Sequence, residues 1–547
     1  MRITRLQRLA MLFVLTAAAC HSTPTAADDS PARHWPPRVI FNSDGASTTL
    51  YRFPVPITDE QCSQTVAQLN GTPVDVFSMS IGTGGSVFWD SRHGHIYGEG
   101  VKNWTIQPGA EKLLAALRKN MSNESSLRAR GIDLTRLRLE KAHGQDMLFL
   151  ASIRMNDSHE DDEGRFWFGR DDFKIGRPEL LLGSPSPKWN AATRDCNFSW
   201  GYNYARSEVR ERRRKLVEEI CTRYDVDGVE LDFMRSPVYF KKGEIFKNIP
   251  NMTEMIAGIR QTMDRLADAK GKKLHLVVRV PPRIGTALEL GLDTETWIKD
   301  RLVDVVVPMS AGYLDSEAEI EGFVKAADGT GTLIYGGIEP ATRSRGPGSP
   351  FDLCRAVAFS AYAEGAQGIY LFNYDAHNHN RRGVYNEEER RFLHAIESAD
   401  RLRWMDKTYF VTPQMGSGTG GDPLRQLPRR LALIGRGAGA AHDVTFKFYD
   451  DIESARADGR LKSVRLRMKI VNIGSDWNRL RVNLNSKRLP NDRLVRKGGF
   501  ITFDDPPLVR GLNSLLVLLE GSENPASPDS WPELQLVEAA VHYQDDR

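Results

Sequence analysis

The sequence predicts an α/β protein: a (β/α)8 TIM barrel with long loops after its second and third strands, followed by a small C-terminal β-sandwich. Between about residues 38 and 400, short β-branched or apolar runs alternate with longer amphipathic stretches, the pattern of strands that alternate with helices. A barrel of eight such units with insertions has a suitable length. After residue 403 the helical period is lost, and apolar runs separated by turn residues indicate a sandwich.

The predicted barrel elements follow in chain order. A doubly wound sheet is the competing architecture, but it usually carries a Gly-rich phosphate turn, and the sequence contains none. The clearest helices are Ser207–Tyr224, Met252–Lys270, Ser316–Asp328 and Asp352–Gly365. The eight predicted strands are Val39–Gly45, Val74–Ile81, Met147–Asn156, Gly228–Arg235, Leu274–Pro281, Val303–Ser310, Leu333–Glu339 and Gly368–Asp375.

The same patterns predict the domain boundaries. We expect an export signal in residues 1–20, the barrel in residues 38–403, a linker in residues 404–427 and the sandwich in residues 428–547. The Gly-rich segment Gln414–Asp422 resembles a connector, because no strand-turn-helix frame surrounds it. The predicted sandwich strands are Leu431–Ile434, Val444–Tyr449, Val464–Ile473, Leu480–Leu484 and Leu515–Leu519.

The N-terminus has the pattern of a bacterial export signal. Three arginines precede the apolar run Leu9–Leu15, which is too short for a stable membrane anchor, and small residues then lead to Cys20. Cys20 stands where a lipoprotein carries its lipid, and simple cleavage near Ala27 is the alternative. We therefore expect an exported protein: a periplasmic, outer-membrane or cell-surface lipoprotein, or a secreted one.

Composition excludes some partners and ligands. The 74 basic and 71 acidic residues give a net charge of +3, which is too balanced to indicate nucleic-acid binding. The remaining cysteines are far apart and lack C-x-x-C spacing, so no zinc site is predicted. A disulfide between Cys196 and Cys221 and buried free thiols are equally acceptable interpretations. No metal or other cofactor is predicted.

Two acids in the fourth strand are the first candidates for chemistry. Residues two apart in a strand face the same side, so Glu230, Asp232 and Met234 share a face. The intervening residues are apolar and would pack under the helices. Glu230 and Asp232 are thus predicted to point into the barrel, with Asp232 nearer its C-terminal mouth.

The seventh strand supplies a third carboxylate. The same alternation directs Glu339 inward at the end of this strand, and barrel enzymes place catalytic groups at the C-terminal ends of several strands. Two carboxylates that face one cavity are the minimum for glycosidic cleavage, because one protonates the leaving oxygen and the other attacks or activates water. Asp232, Glu339 and Glu230 are therefore the candidate catalytic residues.

An inward arginine is the expected partner of one of these acids. In the fifth strand, alternation directs His275 and Arg279 to the interior. Pairing with Arg279 would hold Glu230 or Asp232 ionised, which suits a nucleophile or electrostatic stabiliser better than a general acid. We expect Glu230 to be the buried partner of Arg279 and Asp232 to be the exposed acid at the mouth.

Polar and aromatic residues after other strands are predicted to line the mouth. The aromatic side chains of loops 82–145 and 157–206 would either stack on sugar rings or pack against the rim, and packing is preferred for any single one. The acidic run His159–Glu163 is better interpreted as a solvated loop than as a calcium site. With Arg279, the predicted substrate-binding residues are Asn156, Asp157, His159, Tyr313, Asn373 and Tyr374.

The segment Asp227–Pro237 resembles a known strand signature, D-G-[IV]-x-[LF]-D-[FY]-x-R-x-P, of glycosyl-hydrolase-like family 10 and its relatives. The strings Arg154–His159 and Gly368–Tyr374 are also similar to parts of such barrels. The resemblance covers about residues 38 to 400, and it implies a sugar-active barrel without naming a sugar.

The same segment is similar to the D-G-x-D-x-D-x-E strand of family 18 chitinases, with one important difference. Met234 stands where that family has its catalytic Glu, and a thioether cannot donate a proton. A general acid must then come from another strand, and Glu339 is our first choice.

The sequence therefore predicts an exported glycoside hydrolase that cleaves a polysaccharide or oligosaccharide by a two-carboxylate mechanism. The alternative, motivated by Met234, is a non-catalytic cell-surface carbohydrate-binding protein on a degenerate barrel. A barrel hydrolase or lyase for a non-sugar substrate is a third possibility. The sequence does not distinguish retention from inversion, because this depends on the distance between the carboxyl groups.

Overall fold

Eight parallel strands close into a barrel in the computed structural model. Each strand pairs with its neighbours in chain order, and the first pairs with the eighth, which confirms the predicted fold class and excludes a doubly wound sheet. The structure describes residues 35–45, 49–83, 85–99, 111–157, 171–183, 201–342, 346–347, 350–377, 384–412, 432–434, 442–490, 495–497, 499–521 and 531–544.

All eight predicted barrel strands form, and each ends slightly before its predicted end. Most predicted ends lie in the polar loops at the mouth, where the chain leaves the sheet. The strands are β1 Val39–Ser43, β2 Val74–Ser80, β3 Leu148–Arg154, β4 Gly228–Asp232, β5 His275–Val280, β6 Val305–Pro308, β7 Leu333–Ile338 and β8 Gly368–Leu371.

Helices connect most of the strands and include the four that the sequence predicts. Their ends follow local signals: α1 begins with a Thr58/Gln61 capping box, and α5 ends at Gly271 in a left-handed conformation. The helices are α1 Asp59–Ala67, α2 Glu111–Ala129, α3 Leu134–His143, α4 Ser207–Arg223, α5 Ile245–Lys270, α6 Ile284–Glu289, α7 Thr294–Lys299, α8 Ile320–Ala327, α9 Phe351–Ala363, α10 Tyr374–His377, α11 Glu387–Ala395, α12 Ala399–Leu402 and, in the sandwich, α13 Ile452–Ala457.

Strand alternation divides the barrel core into two parts, as expected. Outward side chains of the strands pack under the helices in a large apolar cluster. Inward side chains form a second cluster that fills the barrel axis below the mouth, so the barrel is packed rather than open. This inner cluster consists of Ile40, Val76, Leu148, Leu150, Val277, Val305, Val307, Met309, Tyr335, Tyr370 and Phe372.

The N-terminal end of the barrel is closed by a polar clamp and an aromatic stack. Asp227 accepts hydrogen bonds from the backbone of Phe149 at 2.8 Å and from the side chain of Lys272 at 3.2 Å, and it pairs with His143. Trp35 stacks on His275 with ring centroids 3.4 Å apart, and burial lowers the pKa of that histidine to about 4. This end of the barrel is therefore a structural closure.

The loop after β2 carries elements of its own. Three two-residue strands, Gly82–Thr83, Ser86–Val87 and His95–Ile96, form a small sheet before α2 and α3. Aromatic side chains of the long loops that the structure describes are buried in packing contacts, as preferred from the sequence: Phe88, Trp89, Tyr97 and Tyr202. The predicted aromatics Trp104, Phe166, Trp167, Phe168, Trp189 and Trp200 lie outside the described residues.

The C-terminal region forms two antiparallel sheets that enclose their own apolar core. One sheet has the order β9, β15, β11, β13, and the other has the order β10, β14, β12. Short strands Ala432–Leu433, Lys487–Arg488 and Val495–Lys497 extend them. The strands are β9 Lys407–Val411, β10 His442–Phe448, β11 Leu461–Val471, β12 Leu480–Leu484, β13 Phe500–Asp504, β14 Gly511–Leu519 and β15 Glu533–Tyr543.

The predicted linker, residues 404–427, is corrected by the structure at its start. Strand β9 lies inside it and pairs with β15, so the sandwich begins before residue 428. The Gly-rich segment Gln414–Asp422 lies outside the described residues. The sandwich is thus joined to the barrel with few residues between α12 and β9.

Three cysteines are buried free thiols: Cys62, Cys221 and Cys354. Because Cys221 is free, the disulfide with Cys196 is not formed, and the alternative of buried thiols is correct for these three. Burial raises the pKa of each thiol, so none is an activated nucleophile. Within the described ranges, no helix combines the length and apolar character needed to cross a bilayer.

Candidate active site

The charged groups predicted on β4 and β5 meet at the C-terminal end of the barrel. Asp232 and Arg279 are direct partners in the register of the two strands. Arg279 Nη1 donates to both carboxylate oxygens of Asp232 at 3.0 Å, and the backbone of Met234 donates to Asp232 Oδ1 at 2.8 Å. Arg279 and Asp232 are almost fully buried, at 0% and 1% exposure, so the expectation that Asp232 is an exposed acid is wrong.

Arg279 is held in place on several sides. Its guanidinium carbon lies 3.5 Å from the ring centroid of Phe372, and Nη2 donates to the carbonyl of Ser310 at 3.4 Å. Burial lowers the pKa of Arg279, but the carboxylate of Asp232 and other nearby acidic groups more than offset this and leave the pKa raised. The guanidinium is therefore a fixed positive charge beneath the mouth, and its buried Nε has no hydrogen-bond partner.

Glu339 approaches the same guanidinium from β7. Its Oε2 lies 3.9 Å from Arg279 Nη2 and accepts a hydrogen bond of 2.7 Å from the backbone of Gly312. The side chain is 3% exposed. The structure thus brings Asp232 and Glu339 together around one arginine, as the alternation of β4 and β7 predicted.

The expected pairing of Arg279 with Glu230 is wrong. Glu230 lies one layer deeper in the barrel, fully buried, and its carboxylate is surrounded by uncharged donors from β1, β2, β3 and β8. Four side chains donate to it: Asn42 at 3.0 Å, Ser78 at 2.6 Å, Ser152 at 2.9 Å and Tyr370 at 2.8 Å. Because these four side chains supply the hydrogen bonds of Glu230, Arg279 pairs with Asp232 instead, its direct neighbour across the β4–β5 pair.

The environment of Glu230 favours its neutral form. Burial raises the pKa of Glu230, the charge of Asp232 raises it further, and the hydrogen bonds from the serine and tyrosine hydroxyls only partly oppose this. Glu230 has no direct path to solvent, so this carboxyl group supports the layer above it rather than contacting a ligand.

A second charged cluster lies beside Asp232 at the mouth. Arg154, the register partner of Asp232 on β3, pairs with Asp44 and donates to Asp157 at 3.3 Å. Arg235 Nε lies 4.0 Å from Asp157. Of these, Asp44 and Arg235 are partly exposed, at 18% and 24%, so this cluster reaches the surface of the mouth.

Two predicted substrate-binding residues serve the fold instead. Asn156 bonds through its side-chain amide to the backbone of Tyr202 and Val238, because β3 ends at Arg154 and the chain has turned away from the barrel axis. Tyr374 begins α10, which breaks the strand alternation, and its ring stacks on Phe392 in the outer core at 5.8 Å.

The remaining predicted site residues either lie at the mouth or fall outside the described residues. Asp157 and Tyr313 are buried at the mouth, and Asn373 donates to Asp44 at 3.3 Å. The buried Oδ1 of Asn373 has no hydrogen-bond partner. His159 and Cys20 lie outside the described residues, as does the predicted signal in residues 1–20.

The sequence reasoning missed the hydroxyl groups that support Glu230. Ser78, Ser152 and Tyr370 occupy inward positions among the buried, mostly apolar residues of β2, β3 and β8. A polar residue at an inward position of an apolar strand is the signal that would have found them. Met234 is 1% exposed and contributes its backbone N–H to Asp232, so its thioether takes no part in acid–base chemistry. Within the described residues, no group of three or more His, Cys, Asp or Glu side chains is placed to hold a metal ion.

The fold and the site together define a class: a (β/α)8 barrel whose C-terminal mouth holds two carboxylates around a buried arginine. No protein-family model matches the chain. No curated protein matches it in sequence. The resemblance to glycosyl-hydrolase-like family 10 therefore stays a prediction.

Solved structures with a similar fold act on carbohydrates. The glycoside hydrolase domain of PgaB (BpsB) from Bordetella bronchiseptica is 9% identical, with a TM-score of 0.41, over 66% of this chain and 99% of that domain. An α-amylase from Anoxybacillus is 11% identical, with a TM-score of 0.36, over 89% of this chain and 99% of that one.

A cycloisomaltooligosaccharide glucanotransferase from Paenibacillus sp. is 11% identical, with a TM-score of 0.34, over 92% of this chain. This chain spans only 57% of that enzyme's length. The structural neighbours named here are thus carbohydrate-active enzymes. With identities and TM-scores this low, however, these likenesses carry no argument about what this chain does.

Proposed function

We propose that this protein is a glycoside hydrolase that cleaves glycosidic bonds of a polysaccharide or oligosaccharide with Asp232 and Glu339. One observation carries the proposal: the two carboxylates, from different strands, approach the two terminal nitrogens of one buried guanidinium at the C-terminal end of the barrel. Buried, fixed carboxylates at this end of the fold are suited to acid–base or nucleophilic work.

The contacts of each carboxylate favour one division of roles. Asp232 receives two hydrogen bonds from Arg279 and one from the backbone, so both of its carboxylate oxygens are held in a fixed position. Asp232 is thus the nucleophile or the base. Glu339 accepts a hydrogen bond from the backbone of Gly312 and lies farther from the guanidinium of Arg279 than Asp232 does. Glu339, the carboxyl group held less closely by the guanidinium, is therefore assigned as the general acid.

The test is the effect of removing each carboxylate. We expect Asp232→Asn and Glu339→Gln each to lower kcat by about 100-fold to 10,000-fold, the range for loss of one acid–base or nucleophilic group. The measurement is the release of reducing ends from a panel of polysaccharides and of 4-nitrophenol from α- and β-glycosides. Circular dichroism establishes that each variant is folded at the assay temperature.

A matched control is available in the sandwich. Glu453→Gln makes the same chemical change at an exposed residue of α13 and is expected to leave the rate unchanged. Wild-type activity in either Asp232→Asn or Glu339→Gln would contradict the assignment of that residue. With an active enzyme, the anomer released first, followed by NMR, reports whether configuration is retained or inverted.

A second candidate function is favoured by Met234, which occupies the position of the catalytic Glu in the similar chitinase strand. In this case the barrel binds a glycan without cleaving it. Binding on a glycan array, with no product from any bound glycan after long incubation, would support this function over hydrolysis. Export, either as a lipoprotein anchored at Cys20 or as a secreted protein, accompanies both proposals on the basis of the sequence.

A further inference from the structure

A loop after β6 contacts both charged groups of the candidate active site. We call residues 309–319 the β6 loop. Its Ser310 carbonyl accepts a hydrogen bond of 3.4 Å from Arg279, and its Gly312 N–H donates one of 2.7 Å to Glu339. The backbone of this loop therefore helps to set the position of the guanidinium and of the carboxylate that faces it.

The β6 loop is braced internally. The hydroxyl of Ser310 donates to the Asp315 carboxylate, whose other oxygen accepts a hydrogen bond of 2.9 Å from the backbone of Glu317. Tyr313 and Leu314, between them, are buried. The residues between Ser310 and Glu317 are thus tied together by contacts within the loop.

The far end of the loop is held by the sandwich. Lys447, on β10, donates to the Ala318 carbonyl at 2.7 Å and pairs with Glu364, just beyond the end of α9, also at 2.7 Å. Tyr449 donates to the same Glu364 oxygen at 3.0 Å. The side chains of Lys447 and Glu364 are 18% and 4% exposed, so this pair is well shielded from solvent, and the loss of one partner costs more than at a surface ion pair.

We propose that Lys447 is a positioning residue: by holding Ala318, it fixes the β6 loop and through it the geometry of Glu339 and Arg279. The sandwich then completes the candidate active site from a distance, without touching a substrate. The catalytic consequence rests on the proposed function, whereas the effect on the loop does not.

Hydrogen–deuterium exchange of the full-length protein tests the loop directly. Lys447→Met keeps most of the side-chain volume but removes the charge and the donor, so we expect faster amide exchange in residues 310–320 and unchanged exchange in β4. Lys462→Met, at an exposed lysine of β11, is the matched control and should change neither segment.

Unchanged exchange in the loop of Lys447→Met, or an equal increase in β4, would overturn the positioning role. If Lys447→Met does not fold, Tyr449→Phe provides the same test with a smaller expected change, because it removes only one hydrogen bond to Glu364.

Kinetics on a 4-nitrophenyl glycoside that the wild type hydrolyses provide the second readout. We expect Lys447→Met to lower kcat about 10-fold with KM within about twofold, since displaced catalytic groups affect the chemical step. A weaker Gly312 hydrogen bond favours protonated Glu339, so the basic limb of the pH–rate profile should move to higher pH. Lys447→Arg keeps the charge, so its kcat and its pH–rate profile should be close to those of the wild type.

The outcomes separate the two proposals. Faster loop exchange with no glycoside hydrolysed by the wild type would contradict the proposed function and support the positioning of the loop. Hydrolysis by the wild type, with unchanged exchange and an unchanged pH profile in Lys447→Met, would contradict the positioning role and support the proposed function.

Discussion

Glu230 and Asp232 are two residues apart on one strand, yet the barrel places them in opposite environments. Asp232 faces a guanidinium, whereas Glu230 faces an amide and three hydroxyl groups from four other strands. A hydroxyl can donate to a carboxylate or accept from a carboxyl group. The layer around Glu230 therefore accommodates either protonation state of its carboxyl group, whereas Asp232 is anchored by a guanidinium.

This difference predicts how stability responds to changes at Glu230. Glu230→Ala leaves the buried donors of four side chains without their acceptor and should lower the free energy of unfolding by about 3 kcal/mol or more. Glu230→Gln keeps the shape and can donate to a hydroxyl, so it should change that free energy by no more than about 1 kcal/mol. Urea denaturation followed by circular dichroism measures both.

The difference in stability between the wild type and Glu230→Gln should depend on pH with a defined sign. Because the folded state raises the pKa of Glu230, its contribution to stability is present below the unfolded pKa of about 4.5 and is lost as pH rises toward the folded value. The wild type should thus lose stability relative to Glu230→Gln as pH increases above about 4.5. A difference that stays constant from acidic to neutral pH would contradict the raised pKa.

For single residues, alternation along a strand predicted the direction of the side chains but not their partners. Glu230, Asp232, Arg279 and Glu339 all face inward as the sequence indicated. Which acid pairs with Arg279 depends on the register between β4 and β5 and on donors from β1, β2, β3 and β8. A single sequence does not contain that information, and the expected Glu230 pairing was wrong for this reason.

Among the elements, β4 shows that a sequence signature can have a structural cause. Asp227 clamps the N-terminal end of the barrel, and a Cβ at Gly228 would lie 2.1 Å from the carbonyl oxygen of His275. The Asp-Gly pair at the start of the signature is thus explained by packing between β4 and β5. The part of the signature with a direct role at the mouth is Asp232.

Gly228→Ala is therefore expected to be destabilising out of proportion to its size. The clash involves backbone on both sides, in paired strands of a closed barrel, so it cannot be relieved by moving a flexible side chain. We expect a loss of about 3 kcal/mol or failure to accumulate as folded protein. Thermal unfolding measures this effect. Gly258→Ala is the matched control with little expected change, because a Cβ at this half-buried position of α5 would make an ordinary contact of 3.6 Å with the Arg214 side chain.

Strands with a strong apolar pattern were predicted from the sequence, and strands with a weak one were missed. The eight barrel strands are buried on both faces and are read easily as apolar runs. Strands β9, β13 and β15 were not predicted, because polar or small residues interrupt the apolar residues of β13 and β15, and because β9 begins with Lys407 and Thr408. Strand β9 was assigned to a linker for the same reason.

In the whole molecule, a buried lysine connects the last barrel helix to the sandwich. Lys407 Nζ contacts the carbonyls of Leu402, Arg403 and Met405 and lies 3.0 Å from Asp450. Burial lowers the pKa of Lys407 and raises that of Asp450, so each group depends on the other for its charge. Removing one partner leaves the other charge buried and uncompensated.

Lys407→Met is thus expected to lower the free energy of unfolding by about 3 to 5 kcal/mol. The double variant Lys407→Met/Asp450→Leu should recover part of this loss, because it no longer buries an unpaired carboxylate. Calorimetry of the two variants and the wild type measures the difference. A double variant that is less stable than Lys407→Met would contradict this explanation.

The joint between barrel and sandwich also bears on how such a protein evolves. Ala356 of helix α9 belongs to the apolar core of the sandwich, while Phe410 of β9 belongs to the core of the barrel. Recombination at the joint would leave each partner with a side chain shaped for the other. The two parts therefore contribute side chains to each other's core, and we expect the residues on one side of the joint to restrict those that the other side tolerates.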